Sequence, residues 1–285
     1  MSNQKKTMLI PVSFDEKGVN VIAFGVALAR DLGLKIKLLH VLTMAGVPSP
    51  FGAPAGSSTT NDGLVEIRRD QAKDRLKVLS KRIRKEAGLD CRYSCKFGFV
   101  DVQILQQARH KNVALVVMGT PNSDTVLTQL LGSRSLKVIN HSQVPVMLVP
   151  ENTGYLPISS IVVGANYENW DQSKHQWITK FAKSLQADLT FVRVERRKTN
   201  QRKRQFGEYR KKMTSKLPTS YDLEDQHFKL IEEGSVEKGL RNYTHNNHGD
   251  LIALQRSQKS EWKHLFSGNV SKEVVEDAGV PVLVY

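Results

Sequence analysis

Cysteine is nearly absent from this chain: Cys91 and Cys95 are the two among 285 residues. Two thiols cannot staple a chain of this length, which excludes a small secreted fold built on disulfides. Their spacing is not that of a C-x-x-C redox pair, and a zinc set would need further nearby ligands, so buried free thiols are expected. Long hydrophobic runs are missing too. No stretch approaches the roughly 18 apolar residues that cross a bilayer, so no membrane insertion is expected. The basic opening residues lead into a short strand-like run, where a secretory leader would carry its apolar core; a cytoplasmic, reduced protein is expected. Acidic residues are scarce: 28 Asp and Glu stand against 42 Lys and Arg, a formal net charge of +14. Hydrophobic residues at 40% and charged residues at 25% are ordinary for globular chains, which excludes wholesale disorder.

What is present is a repeat. Residues 132–149 align with 268–285 without a gap at an offset of 136, so that Gly132 meets Gly268 and Val144-Pro145-Val146 meets Val280-Pro281-Val282. Near the other end, Leu9-Ile10-Pro11-Val12-Ser13 is read opposite Ile161-Val162-Val163-Gly164-Ala165 at an offset of 152. The surplus of about 16 residues falls in segment 45–61, rich in Pro, Gly, Ser and Thr, which reads as a loop. Two domains follow, 1–152 and 157–285, joined by a linker at 150–157.

Each copy alternates β-branched runs with amphipathic stretches. In the first, strands are expected at 7–13, 35–42, 91–97, 113–118 and 145–149, with helices near 17–32, 64–87, 101–111 and 133–141. In the second, strands are expected near 159–164, 188–194, 226–232, 250–254 and 281–285, with helices near 171–186, 199–216, 235–247 and 270–278. The stripe that docks the first helix is read as Val19, Ile22, Ala23, Val26, Ala27 and Ala29. Strands joined through helices run parallel with right-handed crossovers. The fold class is α/β: two tandem, doubly wound, five-stranded parallel-sheet domains.

In such sheets a ligand sits beyond the carboxyl ends of the strands. In the first copy the loop after the fourth strand runs from Met118-Gly119 through Asn122 to Gly132-Ser133-Arg134-Ser135. Gly119 permits a tight turn and a close backbone approach. Gly132-Ser133 opens a helix, whose free N–H groups favour an anion such as phosphate, with Ser133 as hydroxyl donor and Arg134 as a mobile cation. Equally, Ser133 caps its helix and Asn122 fills a turn.

This pattern resembles the universal stress protein family in its tandem-domain form. That family's nucleotide binders carry Gly, two residues, Gly, nine residues, then Gly-Ser or Gly-Thr, before a helix and a terminal strand containing Pro-Val. Gly119 and Gly132-Ser133 fill the outer positions, and Asn122 replaces the middle glycine. The resemblance implies a Rossmann-like fold of the adenine nucleotide alpha hydrolase type and binding of an adenine nucleotide, ATP with Mg²⁺, in the first copy. It assigns to the site Pro11, Val12, Ser13, Val41, Met118, Gly119, Asn122, Gly132, Ser133, Arg134 and Ser135. The family's first strand commonly ends in Val-Asp-x-Ser; here Ser13 stands at the acid's position and Asp15 two residues later. In the second copy Gln255, Gln258 and Asn269 replace Gly119, Asn122 and Ser133, which makes phosphate binding in the family's mode improbable there. The family also implies pairing of terminal strands, here an intramolecular pseudo-dimer between copies, with a homodimer as a further option.

No G-x-x-x-x-G-K-[ST] or G-x-S-x-G motif and no convincing catalytic set is found, so a non-catalytic regulator is expected, with at most slow, incidental ATP hydrolysis. Between 196 and 216 ten Lys and Arg stand against a single acid, Glu208. Phe206 and Tyr209 read as the packing stripe of that helix, whose other face suits an anionic partner or is simply solvated. A nucleotide-free interaction or scaffold protein using this helix and the paired domains is the alternative reading. His245 and His248, without a third ligand, do not suggest a metal site.

Overall fold

The computed structural model describes residues 6–14, 16–43, 61–120, 129–150, 153–165, 171–216, 223–256 and 279–285. Of the expected loop at 45–61, residues 45–60 lie outside them, as do Asp15, Asn122, Asn166, Gln258, Gly268, Asn269 and the expected helix near 270–278; Asn61 itself opens a helix. The chain divides into two compact units, Met1–Val117 with Ser142–Val144, and Met118–His141 with Pro145–Tyr285.

In the first unit, β1 (Thr7–Pro11), β2 (Lys35–Leu42), β3 (Cys91–Phe97) and β4 (Val113–Thr120, counted to the first unit as far as Val117) form a parallel array in the order β3-β2-β1-β4. The connecting helices are α1 (Glu16–Asp31), α2 (Asn61–Ala87) and α3 (Val100–Ala108). β1 is buried along most of its length because it is central and covered on both faces. The docking face of α1 differs from the one read in the sequence: Val21, Phe24, Leu28 and Ala29 are buried, whereas Val19 is 63% exposed. Two glycines shift the stripe, since Gly18 and Gly25 are both on the buried face. A Cβ on Gly25 would stand 2.5 Å from Ile10 Cδ1, so the helix seats on β1 only where it has no side chain.

The second unit holds α4 (Gln129–His141), β5 (Val146–Pro150), β6 (Ser160–Gly164), α5 (Gln172–Leu185), β7 (Asp188–Glu195), α6 (Asn200–Lys216), β8 (Phe228–Glu232), α7 (Val236–Asn246), β9 (Leu251–Leu254) and β10 (Val282–Val284). Its strand order is β5-β10-β9-β6-β7-β8. All neighbours are parallel except β5 and β10, which pair antiparallel with Val282 opposite Leu148 and Val284 opposite Val146. Thus the last strand of the first repeat lies beside the last strand of the second.

Strand register corrects the alignment of the two copies. Thr7 pairs with Lys35 in the first and Ser160 with Asp188 in the second, so the leading strands correspond at an offset of 153, one more than the sequence reading. The backbone repeats the point: Val12 N donates to Leu39 O and Ala165 N to Val192 O, both at 2.8 Å. At the trailing end the offset of 136 stands, because Met8 faces Leu115 where Ile161 faces Leu251. A one-residue slip in a strand exchanges its faces. Ser13 therefore corresponds to Asn166, His40 to Arg193 and Val41 to Val194.

Candidate functional site

Pro11 ends β1, with Val12 buried and Ser13 exposed just beyond it. The turn into α1 is tight. A Cβ on Gly18 would collide with the carbonyl oxygen of Ser13 and lie 2.9 Å from its Oγ, so only glycine lets the helix begin this close to Ser13.

At the adjoining end of β2, His40 and Val41 point to opposite faces, as successive strand residues must. His40 Nδ1 donates to the Val12 carbonyl oxygen at 2.8 Å. The Phe14 ring lies 4.5 Å from the His40 ring, and Arg75 Cζ of α2 sits 5.5 Å from the Phe14 centroid. This stack belongs to the α1–α2 face. Lys37 Nζ donates to Gln107 Oε1 of α3 at 2.6 Å, so the face bearing Lys37, Leu39 and Val41 looks the other way. Burial and the nearby charge of Lys96 hold the Lys37 ammonium below the usual lysine range. Lys96 is exposed and stands in register with Val41. It is a cation next to the candidate position Val41 that the sequence reading missed, and the β2–β3 register reveals it.

Met118 and Gly119 continue β4, with Met118 8% exposed. α4 begins at Gln129, a turn earlier than the expected 133, because Gln129, Leu130 and Leu131 are good helix formers. Its first four residues, which end at Gly132, carry the N–H groups without intrahelical acceptors; Ser133 follows them and so is not the capping residue. Ser135 is buried on the same helix. The Ser133 and Arg134 side chains lie outside the described residues. Pro11, Val12, Ser13 and Val41 therefore come together in the first unit, while Met118, Gly119 and α4 belong to the second.

The second repeat is built differently at the equivalent strand ends. Arg193, at the His40 position, is buried and ion-paired to Glu195 at 2.8 Å, and Arg202 of α6 adds a longer contact to Glu195 at 3.6 Å. Val194 packs on α7, where a Cβ on Gly239 would come within 2.6 Å of Val194 Cγ1. Gln255, where the first repeat has Gly119, is itself buried. Among the described residues no group of three or more His, Cys, Asp or Glu is placed to hold a metal. Cys91 and Cys95 are free thiols, and burial raises the Cys91 thiol to about 11. Among the described residues no helix is long and apolar enough to cross a membrane.

A largely parallel open sheet with connecting helices, built on a duplicated plan, defines the α/β class. Within it, the model of the universal stress protein family matches residues 5–150 and 161–285, and the chain belongs to that family. The universal stress protein MJ0531 of Methanocaldococcus jannaschii is 25% identical over 148 residues, covering 52% of this chain and 83% of that protein. The universal stress protein YxiE of Bacillus subtilis is 28% identical over 145 residues, covering 50% of this chain and 97% of that protein. Among solved structures, a universal stress protein from Archaeoglobus fulgidus aligns with a TM-score of 0.74 at 17% identity, covering 98% of this chain and 95% of that one.

Proposed function

We propose that the first repeat binds ATP, or another adenine nucleotide, as a regulatory ligand and that the second repeat serves as its structural partner. The observation that carries this reading is the exposed Ser13 at the carboxyl end of the central strand β1, inside a segment matched by the family model. Ser13 supplies a hydroxyl to the nucleoside where the family pattern has an acid. Val41 offers an apolar wall, and its face of β2 is not the one that the Phe14–His40 stack occupies. Gly119, Asn122 and the first turn of α4, which ends at Gly132, would receive the phosphates, with Ser133, Arg134 and Ser135 following in the same helix. Mg²⁺ would accompany them through phosphate oxygens and water, with little demand on protein ligands. The role proposed for the bound nucleotide is sensing. The two free thiols suit a reducing, cytoplasmic location.

Calorimetric titration with ATP and Mg²⁺ should give a saturable signal that Gly119→Val removes and Ser13→Asp strengthens. No heat and no thermal shift at millimolar ATP would defeat the proposal. The antiparallel β5–β10 pair favours a second role as an intramolecular pseudo-dimer, a scaffold that also engages an anionic partner through α6.

A further inference from the structure

We infer that the outer face of α6 and the turn before it form a docking surface for the phosphate backbone of duplex nucleic acid. The surface does not depend on the nucleotide reading above.

The helix is well anchored. Arg202 N donates to Thr199 Oγ1 at 3.2 Å, which caps the first turn. Phe206, Tyr209 and Met213 are 8%, 3% and 0% exposed, so the apolar stripe at spacings of three and four faces the sheet. Everything pointing outward is cationic or neutral, apart from Glu208. Arg196, Arg197, Lys198, Lys203, Arg204, Lys211 and Lys212 are exposed. Of these seven, only Arg204 has a side-chain ion pair among the described residues, with Glu208 at 3.4 Å, both mostly exposed; the Lys198 backbone N–H donates to Glu232 Oε2 at 3.2 Å, so one carboxylate stands at the turn before the helix. The two remaining contacts, Arg202 to Glu195 and Arg210 to Asp225, neutralise cations on the flank of the helix. Placing like charges along one helix face opposes folding. A polyanion that takes up those charges removes the conflict.

The chemistry selects among polyanions. Stable membrane attachment needs apolar side chains to enter the acyl boundary, and no large hydrophobic residue of α6 is exposed. Single strands are gripped by aromatic side chains stacked on bases, but both aromatics of α6 are turned inward. What is left on the surface suits phosphates held in a rigid row. Lys203-Arg204 and Lys211-Lys212 are eight residues apart, roughly 12 Å along a helix, close to the ~12 Å width of a B-DNA major groove. At about 3.6 residues per turn Arg204 and Lys211 share the outward line of the helix and Lys203 and Lys212 stand on its opposite flanks, so the four cations spread over the exposed half of the helix toward phosphates on both sides of a groove. Binding of this kind is independent of sequence and steeply dependent on salt.

The test is fluorescence anisotropy of the full chain with a labelled 20-base-pair DNA duplex, titrated in KCl from about 50 to 200 mM. Binding should weaken with salt. The variant K203Q/R204Q/K211Q/K212Q should lose at least tenfold in affinity at the lowest salt, and its log–log salt slope should shrink by about 3–4, near 0.9 per phosphate contact. Circular dichroism of that variant should match the parent and its thermal unfolding midpoint should be equal or higher, since no buried residue changes and like charges are removed. A second variant, R196Q/R197Q/K198Q, should lose affinity in the same direction. Three results would overturn the inference: no duplex binding at about 50 mM KCl, an unchanged salt slope in the quadruple variant, or equal or tighter binding to polyglutamate or phosphatidylserine vesicles.

Discussion

His40 donates its Nδ1 proton to the Val12 carbonyl oxygen at 2.8 Å, tying the end of β1 to the end of β2 beside the exposed Ser13. A single side chain thus sets the path of the backbone that the nucleotide would meet. Replacing it with leucine leaves that carbonyl without its side-chain donor and breaks the contact with Phe14. His40→Leu should lower stability by about 1–3 kcal/mol in urea unfolding and weaken ATP binding, whereas His40→Gln should recover part of both.

Gly18 makes a sharper test of the same turn. Because a Cβ there meets the Ser13 backbone, Gly18→Ala must move either the strand end or the first turn of α1. The expected result is a weaker ATP signal in calorimetry out of proportion to the change in melting temperature. An alanine variant that binds as the parent does would show that the Ser13 geometry is immaterial.

His175 connects the second unit to pH. It is 2% exposed, its Nδ1 donates to Asp171 O at 2.7 Å, and its Nε2 lies 3.1 Å from the Tyr209 hydroxyl. With the Nδ1 proton committed, Nε2 accepts from the tyrosine. Burial holds the ring below its ordinary value of 6.5, against the opposing pull of Asp171. The unfolded imidazole therefore takes up a proton before the native one does. Its contribution to stability is complete above about pH 6.5 and is lost as pH falls from there toward the native value, at up to roughly 1.4 kcal/mol per pH unit. His175→Gln should flatten the acid limb of a stability–pH curve, and Tyr209→Phe should lower stability at pH 8 by about 1–3 kcal/mol by leaving Nε2 unsatisfied.

The Arg193–Glu195 pair predicts a ranking. Both side chains are buried, whereas Arg202 is 37% exposed and more distant from the carboxylate. Removing one partner of a buried pair strands the other charge. Glu195→Ala should therefore destabilise by about 3–5 kcal/mol, and Arg202→Ala by no more than about 1 kcal/mol. Denaturant midpoints of the two variants check the order.

The sequence was legible where chemistry and period agreed. β2 and β3 fall at the expected positions because Lys35, Asp90 and Gly98 bracket clear runs, and the trailing repeat offset was correct because Val-Pro-Val anchors both copies. The leading offset slipped by one at Leu9-Ile10 and Ile161-Val162-Val163. Strands buried on both faces carry no polar alternation, so nothing in their composition fixes register. That slip hid the correspondence between His40 and Arg193. The Arg193–Glu195 pair had a usable signal, since opposite charges two apart on a strand share a face. The pairing of Val41 with Lys96 had none, because it joins strands separated by a long helix. At α1 the apolar count favoured Val19 and Ile22, and the glycines that set the true face have no hydrophobicity to count.

β10 is a three-residue strand with β5 on one side and β9 on the other. Deleting Val282–Val284 would uncover two open edges at once, both lined by apolar residues, and such edges invite fibres or swapped assemblies. The first repeat expressed alone would meet the same hazard at β5 and would be expected to stick to its own copies. The duplication can be read, in that light, as a covalent safeguard: each repeat carries the cover for the other's most adhesive edge.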